Sequence, residues 1–334
     1  MKETTFRLLR YLSLLSVGVF LLWLSFRGVD LDATFEEFRH INYGWLSVSI
    51  LVSLIAFYSR ALRWKILIEP LGYSTRTATT YHSLMVGYLA NLAIPRLGEV
   101  TRCGSLHRTD RVPFNMLLGT VIAERLLDVI CLLACLFLTT WIEHDRLWNF
   151  LDANIFLPVR EKASPQLLVV LGMSILAALA ILFWLMQNRS ENGLISRFRK
   201  LIAGLLEGVR STRRIRRKGE FVFHTLLIWF MYFLMSYTCF KALPATANLG
   251  LDAGLFVLVV GGMGMSAPVQ GGIGAYHLLV SRGLVLFGMA SVHGLAFATL
   301  MHTSQTLVVI VLGAISFFLI SLQPQKEASN HVQS

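Results

Sequence analysis

The stretch TATTYHSLMVGYLANLAIPRLGEVTR, residues 77–102, decides the fold. From Thr77 to Pro95 it carries no Asp, Glu, Lys or Arg. A bilayer crossing takes about 20 apolar residues, so the stretch is nearly long enough to span. Both flanks, however, are basic. Residues 60–77 net +3, from Arg60, Arg63, Lys65 and Arg76 against Glu69. Residues 96–113 net +2, from Arg96, Arg102, Arg108 and Arg111 against Glu99 and Asp110. Positive loops stay in the cytoplasm, and a full crossing cannot keep both ends on one side. The stretch is therefore predicted as a re-entrant hairpin that enters from the cytoplasm and turns back near Pro95. There Pro95 removes a backbone donor and Gly98 permits a sharp turn.

Working outward, further apolar segments fall at roughly 8–26, 44–62, 114–140, 166–187, 221–241, 254–289 and 293–321. The first follows a basic N-terminus without a small-x-small cleavage site, so it is read as a retained helix. Segment 254–289 is charge-free from Ala253 to Ser281 but interrupted by glycines and Pro268. It is read as a second hairpin, entering from outside and turning at Pro268. The other loops then alternate in sign: +2 for residues 1–10, −2 for 27–43, −1 for 141–165, +7 for 188–220 and zero for 241–253. The expectation is an all-α polytopic membrane protein with about eight hydrophobic segments, six of them spans and two re-entrant. Both termini and the basic loop 188–220 are cytoplasmic. The halves, roughly 1–140 and 166–321, form two inverted repeats within one domain, residues 1–334. A faint echo agrees: Ala93-Ile-Pro95-Arg-Leu-Gly98 against Ser266-Ala-Pro268-Val-Gln-Gly271. Inverted repeats with broken helices meeting at mid-membrane are a transporter architecture.

Composition supports a membrane protein. Hydrophobic residues make up 55% of the 334 and charged residues 15%, with a mean hydropathy of +0.63. Soluble domains carry about 25% charged residues, so a soluble enzyme, a secreted disulfide scaffold and a nucleic-acid module are excluded. The net charge of +11 reflects loop placement rather than nucleic-acid binding. Cys103, Cys131, Cys135 and Cys239 form no C-x-x-C pair, and the histidines form no H-E-x-x-H. No metal or cofactor is expected.

Three constellations carry candidate chemistry. In the first, Asn91 precedes the Pro95 turn, and Arg96, Glu99 and Arg102 follow at three-residue spacing. They are read as one helical face, a Glu between two cations, suited to an anionic headgroup; a solvated loop is the plainer alternative. In the second, Glu124, Arg125 and Asp128 lie inside the apolar segment 114–140. Each charge at a membrane-helix centre costs about 2.5–3.5 kcal/mol, so these must be paired or face water. They form either a structural ion-pair cluster or part of a polar path beside Glu99. In the third, Gly271, Gly272 and Gly274 allow close backbone approach and offer amides to phosphate, with His277 just beyond; tight helix packing is the alternative. No strand precedes these glycines and no Lys-Ser/Thr follows, so they are not a P-loop. The run Arg210-Ser-Thr-Arg213-Arg214-Ile-Arg216-Arg217-Lys218 is read as a patch for anionic lipid headgroups. The stretch 194–210 is read as an interfacial amphipathic helix.

Taken in order, Tyr58-Ser-Arg60-Ala-Leu-Arg63-Trp64, Asn91-x3-Pro95-x2-Gly98-Glu99-x2-Arg102, Glu124-Arg125-x2-Asp128 and Pro268-x2-Gly271-Gly-Ile-Gly274-Ala resemble the lysylphosphatidylglycerol synthase transmembrane family. It is also called the flippase-like integral membrane family, and the likeness covers roughly residues 10–320. Ile94-Pro95-Arg96-Leu97 departs from the Pro-Gly-Arg-x of many relatives. In the best-known members a cytoplasmic domain transfers lysine from charged tRNA to phosphatidylglycerol, and the membrane part moves the product across the bilayer. Here the sequence ends 13 residues after the last predicted helix, so aminoacyl transfer is not expected and the chain is not read as an enzyme. The resemblance implies translocation of an anionic, aminoacylated or polyprenyl phospholipid in a prokaryotic cytoplasmic membrane. Implied partners are that lipid, and a second copy or a lipid-synthesis enzyme. Two rivals are an accessory component of a lipid-modifying transferase and an ion-coupled small-solute transporter.

Overall fold

The computed structural model describes residues 31–157 and 210–323, together with isolated positions 20, 23, 173, 174 and 176. Apart from those positions, the predicted segments 8–26 and 166–187 lie outside the described residues, as do most of the basic loop and nearly all of the amphipathic stretch 194–210. The helices are α1 (Leu31–Glu37), α2 (Tyr43–Ile68), α3 (Thr77–Ala93), α4 (Leu97–Asp110), α5 (Phe114–Ile142), α6 (His144–Leu151), α7 (Lys218–Phe240), α8 (Leu251–Ser266), α9 (Ala275–Val285) and α10 (Ser291–Ser321). Among the described residues there is no strand. Among the described residues, three stretches are long and apolar enough to cross a membrane: α2 with its following turn, α7 and α10. α5 is comparably long at 29 residues, about 43 Å, but carries three charges near its middle.

α2 begins at Asn42, whose side-chain oxygen accepts from the amides of Gly44 (3.0 Å) and Trp45 (3.3 Å), an N-cap that satisfies orphan donors. It then runs past residue 62, where the sequence placed a loop. Residues 60–68 continue the helical pattern, with Ala61, Trp64, Leu67 and Ile68 fully buried. Arg60 and Arg63 are therefore helix residues, not loop charges. The expected loop 96–113 is likewise mostly α4, and its Arg102 is buried. The expected external loop 141–165 contains α6, whose Leu147 and Phe150 join the main apolar core.

Both predicted turn regions break helices. α3 stops at Ala93, Ile94 and Pro95 are extended or turned, and α4 starts after Arg96, which holds a left-handed φ of 65°. The Gly98 amide donates to Asn91 Oδ1 at 2.6 Å, tying the two limbs together. A Cβ on Gly87 would stand 2.8 Å from the Gly98 carbonyl oxygen, so the limbs approach as only glycine allows. The second break, between α8 and α9, places Gly271, Gly272 and Gly274 at positive φ. There a Cβ on Gly264 would stand 2.8 Å from the Tyr276 Cα. The two breaks touch. Arg96 Nη2 donates to the Ser266 carbonyl at 3.2 Å, and a Cβ on Gly271 would meet Leu92 Cδ2 at 3.0 Å. α10 lies against both hairpins. A Cβ on its Gly313 would stand 2.7 Å from Leu89 Cβ, and one on Gly294 would stand 2.9 Å from the Ser281 carbonyl oxygen.

The main core joins α6 to α10, with Phe150 edge-on to Phe256 (5.6 Å) and Phe240 tilted on Phe297 (4.6 Å). A smaller core of Trp64, Ile68, Cys103, Leu106, Leu117 and Val121 binds α2, α4 and α5. That smaller core sets the angles from which the charged side chains converge.

Candidate functional site

α2, α4 and α5 bring four arginines and three carboxylates together. Glu124 accepts from Arg60 and from Arg102 Nη1 (3.1 Å), with Arg63 Nη2 at 3.6 Å. Asp128 accepts from Arg63 Nη2 (2.7 Å) and Arg60 Nη2 (3.2 Å), with Arg125 Nη1 at 3.7 Å. Arg125 Nε faces Glu99 Oε1 at 3.5 Å. Arg60 also donates to the Tyr232 hydroxyl (2.8 Å). The Arg102 guanidinium stacks 4.7 Å from the Trp64 ring, whose Nε1 donates to Thr120 Oγ1 at 3.0 Å. Arg63 and Glu124 are 0% and 1% exposed. Seven unpaired charges at mid-membrane would cost roughly 20 kcal/mol on insertion scales; pairing offsets most of this. The seven nevertheless sum to +1. Arg63 Nε and Nη1, Arg60 Nε and Arg102 Nη2 have no hydrogen-bond partner among the described residues.

At the edge of this cluster lies a groove of about 290 Å³ between α4 and α5. Its polar end is Arg96, Glu99 and Arg125; its wall is Leu118, Val121, Ile122, Leu126 and Val129. Ile122, Leu126 and Val129 continue along an exposed apolar face of α5 that includes Leu133. Charge at one end and an apolar wall running out along a helix face suit a molecule that is itself amphipathic.

The structure sorts the residues singled out in the sequence. Arg96, Glu99 and Arg125 meet at the groove. Glu124 and Asp128 lie behind it in the ionic cluster. Arg102 does not join Arg96: Arg96 stands before the helix at a left-handed φ, and the helical step from Glu99 to Arg102 falls about 60° short of a full turn, which carries Arg102 round to Glu124. Asn91 closes the first break through the Gly98 amide. Gly272 and Gly274 are buried, and the Gly272 amide donates to the Val269 carbonyl (3.4 Å), so this is not the exposed amide cradle expected. Only Gly271 of the three is partly open, with its carbonyl accepting from His302 Nε2 at 2.8 Å. His277 is buried in the first turn of α9, with its ring 4.8 Å from that of His302.

Sequence reasoning passed over Arg60 and Arg63 as site residues and missed Tyr232, Tyr88, whose ring lies 5.8 Å from the Arg60 guanidinium, and, away from the groove, His302. One local signal was available for the arginines: Arg60 and Arg63, one turn apart, continue an apolar helix without a Pro or Gly stop. His302 opens the run His302-Thr-Ser-Gln-Thr306 inside an apolar segment. Tyr88 and Tyr232 carry no such mark. Among the described residues, no group of three His, Cys, Asp or Glu side chains is placed to hold a metal ion.

The family model described as the lysylphosphatidylglycerol synthase TM region matches residues 11–313. A UPF0104 membrane protein of Methanocaldococcus jannaschii is 22% identical over 130 residues, 38% of this chain and 36% of that protein. The match thus spans about a third of that curated relative's length. No solved structure matches the chain.

Proposed function

The chain belongs to the lysylphosphatidylglycerol synthase transmembrane-region family, and from that membership we propose that this membrane protein moves an anionic, aminoacylated or polyprenyl phospholipid between leaflets. The groove carries the reading. Arg96 and Arg125 would hold the phosphate and Glu99 would meet an amine or a proton, while acyl chains follow Ile122, Leu126 and Val129 into the bilayer. Charge-assisted contacts to phosphate are about twice as strong as neutral hydrogen bonds, which favours a phosphate at the two guanidiniums. Arg102, Glu124 and Asp128 act from behind by fixing Arg125 and the α2–α5 packing.

The topology proposed is six spans and two opposed re-entrant hairpins in inverted halves, in a prokaryotic cytoplasmic membrane with both termini inside. Two depths support it. Asp128 is the central residue of α5, and the run His302–Thr306 ends on the central residue of α10, against which both hairpins pack. The touching breaks and the ionic cluster then fall near one mid-membrane level. Irregular backbone is tolerated there only where protein or water satisfies it. The basic residues around 210–218 would hold anionic headgroups at the cytoplasmic face, and a second copy or a lipid-synthesis enzyme would be the protein partner. No covalent chemistry is proposed for this chain.

The test is lipid scrambling by purified protein in liposomes containing a fluorescent phosphatidylglycerol, read by a membrane-impermeant quencher. Arg96→Ala/Glu99→Gln should slow translocation at least about tenfold, the effect of losing roughly 1.4 kcal/mol of headgroup binding. Parental rates in that double variant would show that the site is misassigned.

A further inference from the structure

The longest polar run of α10, His302-Thr303-Ser304-Gln305-Thr306, ends at the midpoint of a 31-residue helix, and none of these side chains lines the lipid groove. His302 Nε2 donates to the Gly271 carbonyl inside the second break (2.8 Å). A carbonyl only accepts, so Nε2 carries hydrogen and Nδ1 of the neutral ring keeps a lone pair. The His277 ring lies 4.8 Å away, and the Tyr276 ring lies against His302 at 5.6 Å. His277 is 4% exposed, and its Nδ1 has no hydrogen-bond partner among the described residues. One turn beyond His302, the Gln305 amide oxygen and nitrogen are also buried without partners among the described residues. Two facing imidazoles, one latched to a break and one with a free ring nitrogen, are more than packing requires.

The neighbouring elements supply no compensating charge. On α3 the titratable groups are Tyr81, His82 and Tyr88, and His82 is bonded to Ser316 Oγ (3.0 Å). On α8 there is Asp252, 3.9 Å from Arg146. On α9, beyond Tyr276, Arg282 donates to Asn154 Oδ1 (2.9 Å). On α10, His293 faces Glu37 of α1 (3.4 Å). On α7, Tyr237 and Cys239 lie nearest the core, with Lys218, Glu220 and His224 in its first turns and Tyr232 bonded to Arg60. Among the described residues no carboxylate lies within ion-pair distance of either ring.

We propose that His277 and His302 form a proton-binding site that couples opening of the α8–α9 break to a proton gradient. The coupling rests on the lipid translocation proposed above and supplies its driving force. A proton from water on one side forms an N–H bond at a free ring nitrogen and returns to water on the other side; nothing is oxidised or reduced. In the closed break the neutral pair fits. An added proton places an unpaired cation in a buried pocket, which is strongly disfavoured, and opening the break to water relieves it. Protonation and opening therefore favour each other by equal factors. A proton travelling with an anionic headgroup also cancels its charge against the membrane potential.

The experiment compares scrambling of fluorescent phosphatidylglycerol in proteoliposomes at equal pH and under an imposed pH gradient. The parent should be accelerated several-fold when the side facing the α8–α9 limbs is acid. His302→Gln, which keeps a donor for Gly271, should move lipid at equal pH but lose the gradient response; His277→Gln should lose it as well. A parent that scrambles equally with and without the gradient overturns the coupling and leaves the transport reading standing. Gradient response retained in both variants also overturns it. A parent that moves no lipid under either condition overturns the transport reading and the coupling together.

Discussion

Glu124→Gln should separate the scaffold from the groove. Glu124 is 1% exposed and accepts from Arg60 and Arg102, with Arg63 at 3.6 Å. Gln keeps the shape but removes one of three carboxylates facing four guanidiniums, so the buried cluster moves from +1 to +2. Breaking a buried ion pair by removing one partner costs about 3–5 kcal/mol, against total stabilities of about 5–15 kcal/mol. At about 2–4 °C per kcal/mol for chains of 150–250 residues, the melting temperature should fall on the order of 10 °C. Intrinsic tryptophan fluorescence of the detergent-purified protein measures this directly, since Trp64 stacks on Arg102. Glu99→Gln is the control. Its carboxylate is 17% exposed and its cation stands at 3.5 Å, so the loss should stay within about 1 kcal/mol while lipid movement falls. Arg102→Met placed in the Glu124→Gln background should recover about 1–3 kcal/mol, because it removes the stranded cation. If Glu124→Gln melts within about 2 °C of the parent, the cluster does not lock α2, α4 and α5, and the reasoning fails.

Arg96 sits at φ 65°, a conformation costing a non-glycine residue roughly 1–2 kcal/mol. Arg96→Gly should therefore be about 1 kcal/mol more stable than Arg96→Ala in thermal unfolding, although both lose headgroup binding equally. Leu126→Trp places a larger ring at a wall position of the groove that is already 54% exposed. It should slow lipid movement severalfold and shift stability by no more than about 0.5 kcal/mol; an unchanged rate would mean that lipid passes elsewhere.

Much of the architecture was legible because its signals are local. Pro95 and Pro268, with glycines a few residues on, mark breaks wherever they fall in an apolar run, and the structure breaks at both. The charge tally was less secure than it looked. Arg60, Arg63 and Arg102 entered it as loop residues, yet all three are buried helix residues facing α5; only Lys65 and Arg76 against Glu69 remain for the turn after α2. Loop counting treats every arginine as solvated, and nothing near Arg60 announces a carboxylate 64 positions downstream. The Arg96–Ser266 contact, 170 positions apart, and the His277–His302 pair are equally invisible to local pattern. Such side chains meet only after packing.

The same packing explains why the cluster is ionic at all. Buried salt bridges are weak stabilisers, and apolar residues of equal volume often do as well or better. Locking three helices together is therefore an insufficient reason for four arginines. The geometry supplies another. Asp128 is held by Arg63 and Arg60, and Asp128 and Glu99 in turn flank Arg125. The members behind the groove, buried Arg60, Arg63, Arg102 and Glu124 with half-buried Asp128, leave one positive charge over. The groove members, Arg96 and Arg125 against Glu99, leave another. An apolar core could fill the space behind Arg125, but it could neither fix that guanidinium at the groove mouth nor surround it with positive potential. Both are what the proposed capture of an anionic headgroup from the membrane surface would require.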